Sequence, residues 1–209
     1  MKLTTNVSFM QSTASRISRV FYELAVRHGG YFTTGEASEA GISYRQLSYH
    51  VASGALERAS HGVYRLIDYP VHPHGDMIAV TLWAGPDSAI SHESALAVYG
   101  LASAMPAVIH LTARPSFRGH RDGVRIHRER LAPDELRLWD DVPVTTVERT
   151  LIDLTRSGDR ALLHDAVGES LERGLTTRER LARAISRRED RTRICRDLGV
   201  RLPVVRGSA

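Results

Sequence analysis

Glycine sets the length of every element in the first third of this chain. Gly29-Gly30, Gly41, Gly54 and Gly62 cut residues 15–66 into short pieces, and each follows a run whose side-chain period then breaks off. From Ser15 the residues Ile17, Val20, Phe21, Leu24 and His28 recur at helical spacing up to Gly29-Gly30. "YFTT" reads as a short extended piece, and Thr33 or Thr34 suits the cap of a brief second helix, "GEASEAG", ending at Gly41. Ser43 is a good N-cap for a third helix from Tyr44 to about Ser53, with Ile42, Leu47 and Val51 toward the core. "ALERAS" and "GVYRL" then alternate like strands around Ser60-His61-Gly62.

Helix, short helix, turn, helix and hairpin in that order predict a winged helix-turn-helix domain over residues 1–66. In such a domain the third helix enters the major groove, its N-terminal residues on base edges, while flanking groups hold phosphates. The outward residues Arg45, Gln46, Ser48, Tyr49 and Ala52 include no acid, unlike an ordinary solvated face. Arg45 suits guanine O6 and N7, and Gln46 suits adenine. Tyr44, Tyr49 and His50 can donate to phosphate or pack on sugar, and Arg58, His61 and Arg65 of the hairpin would lean on the adjacent backbone. Winged helices also dock proteins, so an interaction module is the alternative.

"IDYPVHPHGD" breaks both periodicities and carries two prolines, which places a linker at residues 67–75. Residues 76–209 then read as a larger mixed α+β domain. "DMIAVTLWAG" is a helix, and "SAISHESALAVYGL" a buried one capped by Ser91. "AVIHLTA" and "GVRIHRERL" are strands joined by the basic loop "RPSFRGHRD". Three helical stretches follow: "PVTTVERTLIDLTR" capped by Thr146, "RALLHDAVGESLERG", and "TTRERLARAISRR", opened by a Thr176-x-x-Glu179 capping box.

Net charge is +4, with Lys2 the only lysine among 28 basic residues. The arginine bias fits nucleic-acid contact and equally fits GC-rich coding. Residues 1–66 hold seven basic and four acidic groups, 131–172 four basic and ten acidic, and 173–209 eleven basic and four acidic. A polyanion should therefore meet particular segments; the arginine-dense tail is a basic helix for such a partner or a solvated one. No run of eighteen apolar residues occurs and the N-terminus lacks an apolar signal region, so neither membrane contact nor secretion is expected. Cys195 stands alone, which excludes an internal disulfide and suits a reducing cytosol.

No constellation of catalytic grade is found. The chain has no Asp-x-Asp for magnesium, no Walker loop, no Gly-x-Ser-x-Gly and no His-Glu-x-x-His. His72-Pro-His74 lacks a third ligand of suitable spacing, so no metal or other cofactor is expected. Asp153 follows Arg149 by four residues, the spacing of an ion pair on one helix face.

Three stretches in this order, "GYFTTGEASEAGISYRQLSYHVASGALERASHGVYRL", "ISHESALAVYGL" and "VPVTTVERTLIDL", resemble the AbiEi family of antitoxins. With their connecting strands they cover roughly residues 15 to 175. The resemblance implies a cytoplasmic, non-enzymatic antitoxin of a type IV-like, abortive-infection toxin–antitoxin system. Its winged helix would bind inverted repeats in its own promoter as a repressor, and its C-terminal domain would counter a nucleotidyltransferase toxin, whether functionally alone or also by direct contact. A transcription regulator with no antitoxin role is the alternative here. Carried over by position, the DNA-reading set is Thr34, Ser43, Tyr44, Arg45, Gln46, Tyr49, His50, Arg58, His61 and Arg65. The C-terminal counterparts are Ser91, His92, Leu96, Gly100, Thr146, Glu148, Arg149, Thr150 and Asp153. Many members carry Arg where this chain has His61, which weakens the phosphate grip expected at the hairpin tip and makes it sensitive to pH.

Overall fold

The computed structural model describes residues 19–157 and 159–200; Ile17 and the expected start of the first helix lie outside them. The chain divides into two compact units, residues 1–86 and 87–209, each with its own sheet. Both mix helices with strands, so the α+β expectation holds.

In the first unit a helix, α1, described over residues 19–25, passes into a single 3-10 turn, Val26–His28. Then follow β1 (Tyr31–Thr33), α2 (Thr34–Glu39), α3 (Tyr44–Ala52), β2 (Leu56–Ser60), β3 (Val63–Leu66) and α4 (Gly75–Ala84). The sheet is antiparallel, in the order β1-β3-β2. His61-Gly62 closes the hairpin, and Gly62 sits at φ 71°, a conformation that favours glycine. Both short helices start on the residues their sequence nominates. Thr33 and Glu36 form a capping box at α2, and Ser43 and Gln46 form another at α3. Phe21, Leu24, Phe32, Ile42, Leu47, Leu56 and Tyr64 pack into one core. His28 takes no part in it; its Nε2 lies 2.7 Å from Glu36 Oε1.

The expected linker at residues 67–75 is not where the chain divides. α4 packs against all three strands, and Gly75 at its start lies so close to Tyr31 that a Cβ there would run into the hydroxyl. Ile78, Ala79, Val80 and Ala84 are buried. The prolines of "YPVHPHG" mark a turn into a further helix of the first unit, and the division falls between Pro86 and Asp87. A helix apolar on most sides carries no periodic signal that says which sheet it covers.

The second unit runs β4 (Ala89–Ile90), α5 (His92–Tyr99), β5 (Ile109–Ala113), β6 (Val124–Arg128), a 3-10 turn (Pro133–Glu135), β7 (Leu136–Trp139) and β8 (Val142–Thr145). The helices α6 (Val147–Leu154), α7 (Arg160–Glu172), α8 (Arg178–Ser186) and α9 (Arg191–Leu198) complete it. Its five-stranded sheet has the order β6-β5-β4-β8-β7. β5 and β6 are parallel, as are β4 and β8, and the other two pairings are antiparallel. The register pairs His110 with Arg125 and Thr112 with His127, which puts His110, Thr112 and His127 on one face of the sheet. All eight residues of α6 are buried, among them Glu148, Arg149 and Asp153. α8 is capped one residue later than its sequence suggests. Thr177 accepts from the Arg180 amide, whereas Thr176 is buried and its hydroxyl donates to Glu148 Oε1 at 2.6 Å.

Candidate functional site

Leu47 turns α3 inward, leaving Tyr44, Arg45, Ser48, Tyr49 and Ala52 on the exposed side. Tyr44 is 61% exposed and Tyr49 67% exposed, a large aromatic area to leave in water unless something covers it. Arg45 is exposed and, among the described residues, has no hydrogen bond or ion pair. No carboxylate lies on α3, and the Glu39 that precedes it belongs to α2.

The other expected DNA-reading residues divide into groups that face outward and groups that hold the frame. The Ser43 amide and hydroxyl both donate to Gln46 Oε1, at 2.9 and 2.8 Å, so Gln46 closes the helix start and must swing away to reach a base. Thr34 is tied to the hairpin tip, its amide and Oγ1 both donating to the Gly62 carbonyl at 2.8 and 3.2 Å. His50 packs edge-on against Phe21 with ring centroids 4.9 Å apart, and burial lowers its imidazole. Arg58 and His61 are exposed, Arg58 Nη2 donating to His61 Nδ1 at 3.4 Å. Arg65 departs from expectation. Its side chain is only 13% exposed, Nη1 lies 3.7 Å from Glu57 Oε2 on the neighbouring strand, and Nη2 donates to the Tyr69 carbonyl at 3.2 Å. A guanidinium so engaged is not free to lean on a phosphate.

In the second unit the motif positions hold one another. Arg149 is the largest fully buried side chain. Its Nε donates to both oxygens of Asp153 at 2.8 and 2.9 Å, Nη1 to Glu135 at 3.0 Å and Nη2 to Glu129 at 2.6 Å. Burial opposes the Arg149 charge, but Asp153, Glu135 and Glu129 outweigh it and hold the group above its ordinary value. Burial pushes the Asp153 carboxyl up to about 6 against the pull of Arg149, so it is ionised at neutral pH. Thr146 caps α6, Thr150 bonds Thr145 at 2.7 Å, and Glu148 takes Thr176 and Arg180. Leu96 is fully buried, and Gly100, left-handed at φ 62°, ends α5 and accepts from Arg173.

The arginines of the tail meet acids of the same unit. Arg187 pairs with Asp134, Arg188 with Glu135, and Arg193 with Asp190. Much of the positive charge of residues 173–200 is therefore answered locally. Cys195 is half-buried and burial raises its thiol, the state of an unreactive side chain.

One cluster escaped the sequence. His92, His110 and His127 each bring a ring nitrogen to within 4.8 Å of the other two. His92 stacks on His127 with centroids 3.7 Å apart, and His127 Nε2 lies 3.1 Å from His110 Nδ1. Burial, then the neighbouring imidazoles, lowers His92 to about 3 and His127 to about 4, so the rings are neutral at physiological pH. Spacings of 18 and 17 residues belong to no local ligand motif; the β5–β6 register brings His110 and His127 together, and the β4–β5 pairing brings in His92 at the start of α5. His72 Nδ1, by contrast, accepts the His74 amide at 3.0 Å within its own turn.

Residues 22–67 match a protein family described as transcriptional regulator, AbiEi antitoxin. The resemblance read in the sequence is borne out for that segment, which holds α2, α3 and the hairpin. The crystal structure of the RV2827C protein from Mycobacterium tuberculosis aligns with a TM-score of 0.54 at 19% identity, over 87% of this chain and 75% of that one; the likeness is one of fold. No curated protein matches significantly. No helix among the described residues is long and apolar enough to cross a membrane.

Proposed function

We propose that this chain is a DNA-binding transcription regulator and the antitoxin of a type IV-like, abortive-infection system. Residues 1–66 act as a winged helix-turn-helix on inverted repeats in the chain's own promoter. The second unit counters a cognate nucleotidyltransferase toxin in the cytoplasm. The observation that carries the DNA reading is the acid-free outer face of α3, with Arg45 exposed between Tyr44 and Tyr49 and unpaired among the described residues, inside the segment that matches a family of transcriptional regulators. The order of elements and the β1-β3-β2 sheet support the same reading. The contact set is Tyr44, Arg45, Ser48 and Tyr49 for the groove and Arg58 with His61 for the flanking backbone; Thr34, Ser43 and Gln46 set the geometry.

Fluorescence anisotropy with a promoter fragment of the chain's own operon tests this. A bidentate contact to guanine contributes about 1 to 3 kcal/mol, so Arg45→Ala should weaken binding by roughly 5- to 150-fold and relax base preference. Arg58→Ala should weaken all sequences alike and lower the salt slope by about one charge. Equal affinity of parent and Arg45→Ala for the promoter would sink the groove assignment. The antitoxin role is read separately, since full-length Arg45→Ala should still rescue growth of cells expressing the toxin while failing to repress. Loss of rescue with intact folding would tie both roles to α3 and refute their division.

A further inference from the structure

We infer that His92, His110 and His127, together with Glu93, form a zinc site in the second unit. Three elements supply it: the start of α5 gives His92 and Glu93, β5 gives His110 and β6 gives His127. The case rests first on an unmet hydrogen-bond requirement. Glu93 Oε2 lies 3.0 Å from His110 Nδ1, yet the oxygen is buried and has no aligned hydrogen bond among the described residues. The same Nδ1 faces His127 Nε2 at 3.1 Å. A neutral imidazole carries one N–H and one lone pair, so a proton on His110 Nδ1 points in line at only one of Glu93 and His127, while a proton on His127 Nε2 leaves the Glu93 carboxylate facing the Nδ1 lone pair. A cation held by all of them removes the conflict.

Distances fit the ion as well. Zinc takes imidazole nitrogen and carboxylate oxygen at about 2.0 to 2.2 Å in tetrahedral array, which sets neighbouring ligand atoms about 3.3 Å apart. The Glu93–His110 and His110–His127 separations, 3.0 and 3.1 Å, are already close to that edge. Only His92 must approach, from no more than 4.8 Å, by tilting out of its stack on His127. Its position is imposed by the backbone. His92 is one of few non-glycine residues at positive φ, 53°, a strained state for a side-chain-bearing residue. Ser91 Oγ, itself accepting from Thr112 at 2.8 Å, lies 3.0 Å from His92 Nδ1 and engages that nitrogen, leaving Nε2 as the ligand atom, as outer partners of metal-binding histidines do.

Imidazole suits zinc, copper, nickel and iron, and zinc is the one of these that most readily accepts a tetrahedral set of nitrogen and carboxylate oxygen. Three nitrogens and one carboxylate close the coordination sphere, so the ion's role is structural: it staples α5 to two parallel strands whose connection, residues 114–123, is a long loop.

The test uses the full chain, freed of metal by chelator and titrated with zinc chloride by calorimetry, and with cobalt chloride for the visible absorption of tetrahedral coordination. One zinc per chain with submicromolar affinity, cobalt absorption and a raised melting temperature are expected. His110 is buried and its replacement can unfold the unit, so the variants are His127→Asn and His92→Gln at half-buried positions. Each should lower affinity by about 100-fold or more, and Glu93→Gln by about 10- to 100-fold. The paired change His72→Ala with His74→Ala should leave binding as it was. No stoichiometric zinc in the parent overturns the proposal, as does equal affinity in folded His127→Asn. Loss confined to the His72 and His74 variant also overturns it, by placing the ion in the first unit.

Discussion

Replacing Arg149 by Met should be the most damaging single polar change in the second unit, and its cost can be worked out. The guanidinium is 2% exposed and gives four hydrogen bonds to three carboxylates. Counted singly, hydrogen bonds to charged groups contribute about 1.5 to 3 kcal/mol each, a sum too large because two partners can rehydrate. Glu129 is 43% exposed and Glu135 19% exposed, so their carboxylates regain water once the arginine is gone. Asp153, 6% exposed, does not. Breaking a buried pair by removing one partner costs about 3 to 5 kcal/mol, and this sets the expected loss. The loss should depend on pH. With the guanidinium present the Asp153 carboxyl sits near 6, and without it the group rises further, so at pH 5 the variant buries a neutral acid rather than an anion. The difference between parent and Arg149→Met should therefore shrink on going from pH 8 to pH 5. Urea unfolding followed by Trp139 fluorescence, in a Trp83→Phe background so that only the second unit reports, measures this. A loss under about 0.5 kcal/mol at pH 8, within the range of ordinary surface substitutions, would refute the reasoning, and so would a loss that grows as pH falls.

Gly75→Ala should destabilise the first unit by about 1 to 3 kcal/mol through overpacking against Tyr31, and Tyr31→Phe should recover part of it; thermal melts of the single and double variants decide. Burial raises the Glu36 carboxyl, but hydrogen bonds from His28 and Thr33 prevail and hold it down to about 2, below its unfolded value of 4.5. Its stabilisation is thus complete above pH 4.5 and is lost as pH falls toward 2; Glu36→Gln should flatten that part of the stability profile, by about 1 kcal/mol after allowing for solvent screening. Arg65→Ala should lower the melting temperature of the first unit while leaving the salt slope of DNA binding unchanged, because Arg65 is engaged by Glu57 and Tyr69. A salt slope reduced by about one charge would return Arg65 to the phosphate contacts.

Local features of the chain were legible and register was not. The caps at Thr33 and Ser43, the hairpin at His61-Gly62, and the Arg149–Asp153 pair all lie within four residues of their partners, where backbone geometry alone decides who meets whom. The carboxylates that complete the Arg149 site, Glu129 and Glu135, sit 20 and 14 residues away, beyond any periodic rule. α4 was read as a helix but assigned to the wrong unit, since its apolar surface says only that something covers it. Thr176 lost its capping role because a buried Glu148 competes for the same hydroxyl. His110 and His127 share a sheet face through the parallel β5–β6 pairing, and His92 joins them from the start of α5 after β4 pairs with β5; alternation within each strand predicts a side but not a neighbour. Tyr44, Arg45 and Tyr49 stand on the exposed side of α3, the side that helical spacing from Leu47 gives them. Arg65 was expected to be free because its partners, Glu57 across the strand pair and the Tyr69 carbonyl in the turn after β3, are set by strand register and loop path, which alternation along one strand does not give.

The pair of hydrogen bonds that Thr34 donates to the Gly62 carbonyl has a kinetic meaning. It clamps the hairpin tip to the first turn of α2 while the capping boxes stiffen α2 and α3, so the surface proposed to meet DNA is preformed and, on that proposal, little ordering entropy remains to be lost on contact. If the proposed reading holds, a preformed surface of this kind would dock by orientation and electrostatic steering. Its association rate should respond to ionic strength and hardly at all to solvent viscosity beyond the diffusive limit, whereas Thr34→Val, which keeps the amide bond and removes only the hydroxyl's, loosens the tip and shows itself in faster dissociation.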